Sequence, residues 1–352
     1  PFIPVGSFDF LSDQTVDATS IAGFGHVVWH VNDRLNLTGG IRYTHEEKIQ
    51  TESRLDSDTL QPSANPAFAD FAAQGGSLTS TFTGSRLDYR FSADYRWADQ
   101  LMTYFTFSTG FKSGGSNPRP FFGSQFLPFD EETVKSFEAG FKSDLFDQRL
   151  RLNADYFFAL YSDIQLVPLT CDDISPFPSA PCAAPRNLAD GQISGVELEA
   201  TFLPTDHLSI DTSMSYIKLN FTKVDPAAVG PVDPTLDRPE NTPTWKASAG
   251  AQYEIPMGDW GTLTPRVDVA YEGEKSGLAG TAGLVIDSYT LINARLTWRS
   301  ADDTWEAAFS ATNIGDTEYL YNTFDLTGAG AAWQSTHPAK PREWNFTVRH
   351  SF

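Results

Sequence analysis

Long apolar runs, basic residues, cysteine and clustered catalytic side chains are all scarce in this 352-residue chain. No stretch approaches the roughly 18 consecutive apolar residues of a transmembrane helix, which excludes a helical membrane protein. Lys and Arg number 25 against 45 Asp and Glu, a formal net charge of −20. Nucleic-acid phosphates need cations, so a nucleic-acid partner is excluded. The two cysteines, Cys171 and Cys182, have no second Cys or His pair at ligand spacing, which argues against zinc. The six histidines, His26, His30, His45, His207, His337 and His350, are scattered without a paired carboxylate or nucleophile. No enzyme activity, metal or cofactor is therefore expected. The chain starts at Pro1 and carries no charged segment followed by an apolar stretch, so either processing has removed the start or this is a fragment.

Alternation is abundant, and 13% aromatic residues exclude wholesale disorder. In Arg86 to Trp97, Leu87, Tyr89, Phe91, Ala93, Tyr95 and Trp97 fall on one face of a strand, and Arg86, Asp88, Arg90, Ser92, Asp94 and Arg96 on the other. Leu150, Leu152, Ala154, Tyr156, Phe158 and Leu160 oppose Arg149, Arg151, Asn153 and Asp155 in the same way. A bilayer crossing takes about 9 to 11 tilted residues, whereas soluble strands run about 5 to 6. Thirteen such segments are read: 19–31, 35–47, 80–97, 101–111, 134–146, 149–165, 192–203, 208–221, 244–255, 262–272, 286–299, 304–314 and 342–352. Connections alternate strictly between tight turns (32–34, 98–100, 147–148, 204–207, 256–261, 300–303) and long loops (49–79, 112–133, 166–191, 222–243, 273–285, 315–341). Short turns on one rim and long loops on the other mark a transmembrane β-barrel, and Trp97, Trp298, Trp305 and Trp344 near strand ends suit its aromatic girdles. The expected fold is all-β and antiparallel, with odd-numbered strands descending and a periplasmic C-terminus. A soluble β-sandwich also alternates, but strand length and loop asymmetry weigh against it. Cys171 and Cys182 share one long loop, and an intraloop disulfide is the favoured reading.

Particular words then stand out. Ser108-Thr109-Gly110-Phe111-Lys112-Ser113-Gly114-Gly115, Phe129 through Ser143 (FDEETVKSFEAGFKS), Gly195-Val196-Glu197-Leu198-Glu199, Ile286-Asp287-Ser288-Tyr289 running into Asn293-Ala294-Arg295-Leu296, Thr312 through Tyr319 (TNIGDTEY) and the final Pro341-Arg342-Glu343-Trp344 with Phe352 follow in order. Together the chain resembles the barrel of TonB-dependent outer-membrane receptors over roughly residues 80–352, extended by Leu37 to Tyr43. The resemblance implies a 22-strand barrel with an N-terminal plug and a TonB box, neither recognisable here, so residues 1–352 read as its C-terminal portion. An odd strand count cannot close antiparallel, which supports the same expectation. Gly110, Gly140 and Gly195, in or beside strands, read as points of bending or close backbone approach. The resemblance further implies that Phe352 is read by the barrel assembly machinery, although girdle packing explains it equally well.

Uptake of a scarce ligand, most often a ferric siderophore, with cobalamin, haem or oligosaccharide as alternatives, is what the resemblance implies, driven by the TonB complex acting through the plug. Candidate ligand residues are Arg119, Phe121, Phe122 and Phe126 in one loop, and Tyr319, Tyr321, Trp333 and His337 in another. Aromatic faces with a cation suit an aromatic or anionic chelate, while loop-to-loop packing is the plainer alternative for any one of them. Passive porins and adhesion or scaffold barrels remain the rivals.

Overall fold

A computed structural model describes residues 11–63, 68–168, 171–175, 182, 184–225, 241–277, 285–325 and 334–352. Among these residues thirteen strands form the wall: β1 Leu11–His30, β2 Leu35–Leu55, β3 Ser77–Ala98, β4 Leu101–Lys112, β5 Glu132–Leu145, β6 Leu150–Leu166, β7 Arg186–Phe202, β8 Leu208–Val224, β9 Trp245–Tyr253, β10 Thr262–Glu272, β11 Tyr289–Arg299, β12 Trp305–Thr312 and β13 Glu343–His350. Each pairs antiparallel with its sequence neighbours in one continuous sheet, and the short segment Ile255–Pro256 pairs the start of β10. Among the described residues no pairing joins β1 to β13. Over the described residues the sheet is therefore open, as an odd number of strands requires of an antiparallel wall.

Pairing register places one apolar side chain against another from β3 to β6. Phe91 faces Phe107, Phe107 faces Phe137, and Phe137 faces Phe158. A row of ring contacts follows on this face, with Tyr89–Phe107 at 5.8 Å, Phe107–Phe137 at 4.8 Å and Phe137–Phe158 at 6.5 Å between centroids. Leu87, Tyr89, Phe91 and Tyr156 are left exposed on this face. An apolar face that large is stable only in contact with lipid or a partner. Leu150, Leu152, Tyr156 and Phe158 share it, whereas Arg86, Asp88, Arg90, Asp94, Arg151 and Asp155 lie on the opposite, polar face.

The polar face neutralises much of its own charge. Arg266 bridges Asp211 at 2.8 Å and Asp268 at 2.6 Å, passing over Gly250, where a Cβ would stand 2.3 Å from the guanidinium. At Gly195 the Phe157 ring occupies the same kind of space, 2.4 Å from a Cβ position, so this glycine serves close packing. Glu306 pairs Arg299 at 3.0 Å and Arg295 at 3.7 Å. In the tight turn joining β11 to β12, hydroxyl groups of Ser300 and Thr304 donate to Asp302 and hold its carboxyl at about 2.

The first three strands depart from expectation. They run 20, 21 and 22 residues, starting at Leu11 rather than residue 19, ending at Leu55 rather than residue 47, and resuming at Ser77. The reason is visible in β3. From Trp97 to Leu87 its lipid-type face is apolar, and beyond that the same face reads Ser85, Thr83, Thr81, Thr79 and Ser77. Meanwhile Leu78 and Phe82 are buried on the other face. Hydrogen-bonded pairing continues, with Glu47 facing Thr83 and Thr51 facing Thr79, but the apolar alternation that announces a strand has changed sides. By contrast β9 to β13 span 9, 11, 11, 8 and 8 residues. The wall is thus tall on one side and low on the other.

Among the described loop residues are a helix at Ala69–Ala73 and small hairpins pairing Gly115–Ser116 with Pro128–Phe129, Lys275–Ser276 with Val285–Ile286, and Leu320–Asp325 with Gln334–Pro338. Residue 286, expected to open β11, belongs instead to the second of these, and β7 begins at Arg186 rather than residue 192. No described helix is long and apolar enough to cross a membrane.

Candidate ligand-binding surface on the long-loop rim

On the tall side, Glu46, Lys48, Gln50, Glu52 and Arg54 alternate along one face of β2. Loop 113–131 folds over that face. Lys48 Nζ donates to Ser113 Oγ at 2.6 Å and to the Gly114 carbonyl at 2.9 Å. Gln50 donates to the Asn117 carbonyl at 3.0 Å, and Ser116 to Ser80 at 2.7 Å.

At the top, Arg54 and Glu52 form a buried ion pair. The guanidinium also donates to Ser12 Oγ at 2.9 Å and to the Pro120 carbonyl, and it lies 5.1 Å from the Phe71 ring centroid and 6.0 Å from that of Phe68. Burial pulls its pKa down to about 10, because a charge leaving water loses hydration. Glu52 accepts further from Ser12 at 2.7 Å and Gln14 at 2.9 Å. One charged pair therefore ties β1, β2, the helix-bearing loop and loop 113–131 together.

Amides complete the tie. Asn117 donates to the Gln125 carbonyl at 3.0 Å, the Phe121 amide donates to Gln125 Oε1 at 2.9 Å, and Gln125 Nε2 donates to Ser175 Oγ at 3.1 Å. Gln165 donates to the carbonyls of Ser113 and Asp130, and Asn187 to those of Asp130 and Asp163. Asn117 and Gln125 are fully buried, and hydrogen-bonded polar groups in such positions fix one conformation.

The aromatic candidates divide accordingly. Phe126 is buried with Phe68, Phe71 and Leu78, and Phe122 is buried as well; these rings serve loop packing. Arg119 and Phe121 are exposed. On the other candidate loop, Tyr319 packs its ring 4.3 Å from that of Tyr289, Tyr321 is 72% exposed, and His337 is exposed in the terminal loop hairpin beside Ser335. Trp333 lies outside the described residues. Arg54, Glu52, Asn117, Gln125, Gln165 and Asn187 hold the surface in place and were not anticipated from sequence. The charged alternation from residue 46 to residue 54 was the available signal for the first two. Among the described residues no three His, Cys, Asp or Glu side chains gather to hold a metal.

Cys171 and Cys182 are joined as a disulfide, with Cα atoms 5.6 Å apart, packed against Ala184 and Ile174. Closing a loop of this size contributes about 3 kcal/mol in the chain-entropy model, local to the loop. Non-reducing mass spectrometry of the purified protein should show no free thiol; alkylation of two cysteines without reductant would refute the pairing.

Phe352 is exposed at the short-turn rim, its ring 4.6 Å from that of His350, which in turn lies 4.2 Å from Trp305.

Residues 1–314 match a family model described as TonB dependent receptor-like, beta-barrel. Among characterised proteins, the pesticin receptor of Yersinia pestis is 25% identical over 287 residues, covering 81% of this chain and 37% of that protein. The metal-pseudopaline receptor CntO of Pseudomonas aeruginosa is 24% identical over 197 residues, 56% of this chain and 25% of that protein. Among solved structures, the ferric yersiniabactin uptake receptor FyuA from Yersinia pestis superposes with a TM-score of 0.76 at 20% identity, over 97% of this chain and 47% of that one. The siderophore receptor PiuA from Acinetobacter baumannii gives 0.70 at 17% identity, over 96% and 44%. The chain thus spans less than half the length of these relatives.

Proposed function

The chain belongs to the family of TonB-dependent receptor β-barrels, and from that premise we propose that it is the C-terminal portion of an outer-membrane receptor barrel that binds a scarce chelate, a ferric siderophore, at its long loops. Import is driven by TonB acting through a plug supplied by sequence upstream. In this reading the long-loop rim faces outward, the short-turn rim and C-terminus face the periplasm, and Phe352 presents its aromatic ring to the barrel assembly machinery. The relatives named for siderophore or metal-chelate uptake support the ligand class.

The observation that carries the reading is loop 113–131, held on the polar face by buried polar contacts while Arg119 and Phe121 remain exposed. A preformed cationic and aromatic surface binds an anionic or aromatic chelate with little ordering cost. An open diffusion channel has no need of one.

The full-length receptor, expressed in a strain lacking its own siderophore receptors, should restore growth on at least one ferric siderophore under iron limitation, and only with an intact TonB system. Arg119→Ala combined with Phe121→Ala should weaken ligand binding by roughly ten-fold, about 1 to 2 kcal/mol, with receptor levels unchanged. Solute passage without energy coupling would favour a porin. Protein binding at the loops without any uptake would favour an adhesion or scaffold barrel.

A further inference from the structure

On the apolar face of the thirteen wall strands, reading only regularly paired rows among the described residues, two positions carry Lys or Arg: Lys135 on β5 and Lys218 on β8. Lys135 shares its face with Phe137, Ala139, Phe141 and Leu145, and its row with Thr109 and Leu160. Lys218 shares its face with Leu208, Ile210, Met214 and Tyr216, and its row with Ser194. Both side chains are exposed, and among the described residues neither has an ion-pair partner.

Their heights agree. Each lysine stands ten positions from the short-turn end of its strand, counted from Leu145 and from Leu208. At about 3.3 Å per residue and about 40° of tilt, the ten residues beneath each span roughly 25 Å, the height of a barrel's apolar band. Both ammonium groups therefore lie at the headgroup level of the long-loop side. Between them, β7 places Ser194 and Gln192 on the same face, and Asn220 follows Lys218. Three strand spacings and a two-residue offset put the two lysines about 16 Å apart. Tyr216 and Trp245, with ring centroids 4.7 Å apart, flank Lys218 from below, where interfacial aromatics anchor a barrel.

We propose that Lys135 and Lys218, with Ser194, Gln192 and Asn220 between and beside them, form a site on the lipid-facing wall for a phosphate-bearing lipid of the outer leaflet. The charge complementarity is specific to this sector. The other charged groups in this face's regular rows, Asp13, Asp17 and Glu47, are acidic and stand on the tall extensions of β1 and β2, while the molecule as a whole is strongly anionic. Each surface cation near anionic headgroups contributes on the order of 1 kcal/mol. Two at one height bind a phosphorylated headgroup rather than merely tolerating the interface. The inference rests on the membrane placement above and is independent of which ligand the loops take.

The test uses the full-length receptor in phosphatidylcholine vesicles with lipid A in both leaflets, so that orientation and ligand uptake do not enter the readout. Wild type should retain lipid A through detergent extraction, and the Lys135→Gln/Lys218→Gln variant should retain on the order of ten-fold less. Lys135→Arg/Lys218→Arg should recover most of it, and inorganic phosphate at millimolar concentration should not compete. Equal retention by the glutamine variant would overturn the site, as would full displacement by inorganic phosphate, which would mark adventitious anion binding.

Discussion

Phe91→Arg in the full-length receptor should sharply reduce the amount of folded barrel reaching the membrane, whereas Asp94→Arg, three residues along the same strand, should be tolerated. Phe91 lies near the middle of the apolar stretch from Leu87 to Trp97, directly opposite Phe107. A lipid-facing Arg near the bilayer midplane costs about 2 to 4 kcal/mol. Asp94 points to the polar face, where it accepts from Asn36 at 2.8 Å. Losing that contact costs about 1 kcal/mol, and the new cation remains in a wet lumen. Heat-modifiable gel migration and membrane abundance report the difference. Comparable loss with both substitutions would contradict the assigned faces.

The second large effect should come from Arg54→Met. Removing the guanidinium leaves the Glu52 carboxylate buried and stripped of its cation, and breaking one half of a buried pair typically costs about 3 to 5 kcal/mol. The damage should be confined to the rim. Loop 113–131 should become protease-sensitive and, on the proposed function, chelate binding should weaken, while heat-modifiability of the barrel persists, because the pair sits above the apolar band and joins the loops to the tall ends of β1 and β2 alone. The double substitution Glu52→Gln with Arg54→Met removes both charges and should restore much of the protection, the signature of coupling between contacting groups. Unchanged proteolysis in the single variant would show that the pair does not hold the loop.

The wall was legible in the sequence because a half-buried strand writes its faces two residues apart, and because tight turns declare themselves through Asp, Asn, Gly and Pro. That code fails where both faces become polar or where burial changes sides, which is why β3 was read from residue 80 and β7 from residue 192. The loops were less legible for a different reason. Phe121, Phe122 and Phe126 look alike in sequence, and only non-local packing against Phe68, Phe71 and Leu78 separates the exposed ring from the buried ones. Gln125, Gln165 and Asn187 gave no local signal, since their partners lie on other loops and strands.

Thirteen is an odd number, and that parity constrains every rearrangement of the gene. With β1 and β13 running the same way, any segment that closes this sheet antiparallel must itself contribute an odd number of strands. Duplication or deletion of hairpins, which adds or removes strands in pairs, keeps each loop on its own side of the membrane. Loss or gain of a single strand would reverse the sidedness of everything downstream of it. Growth of such a barrel in evolution is therefore quantised in hairpins.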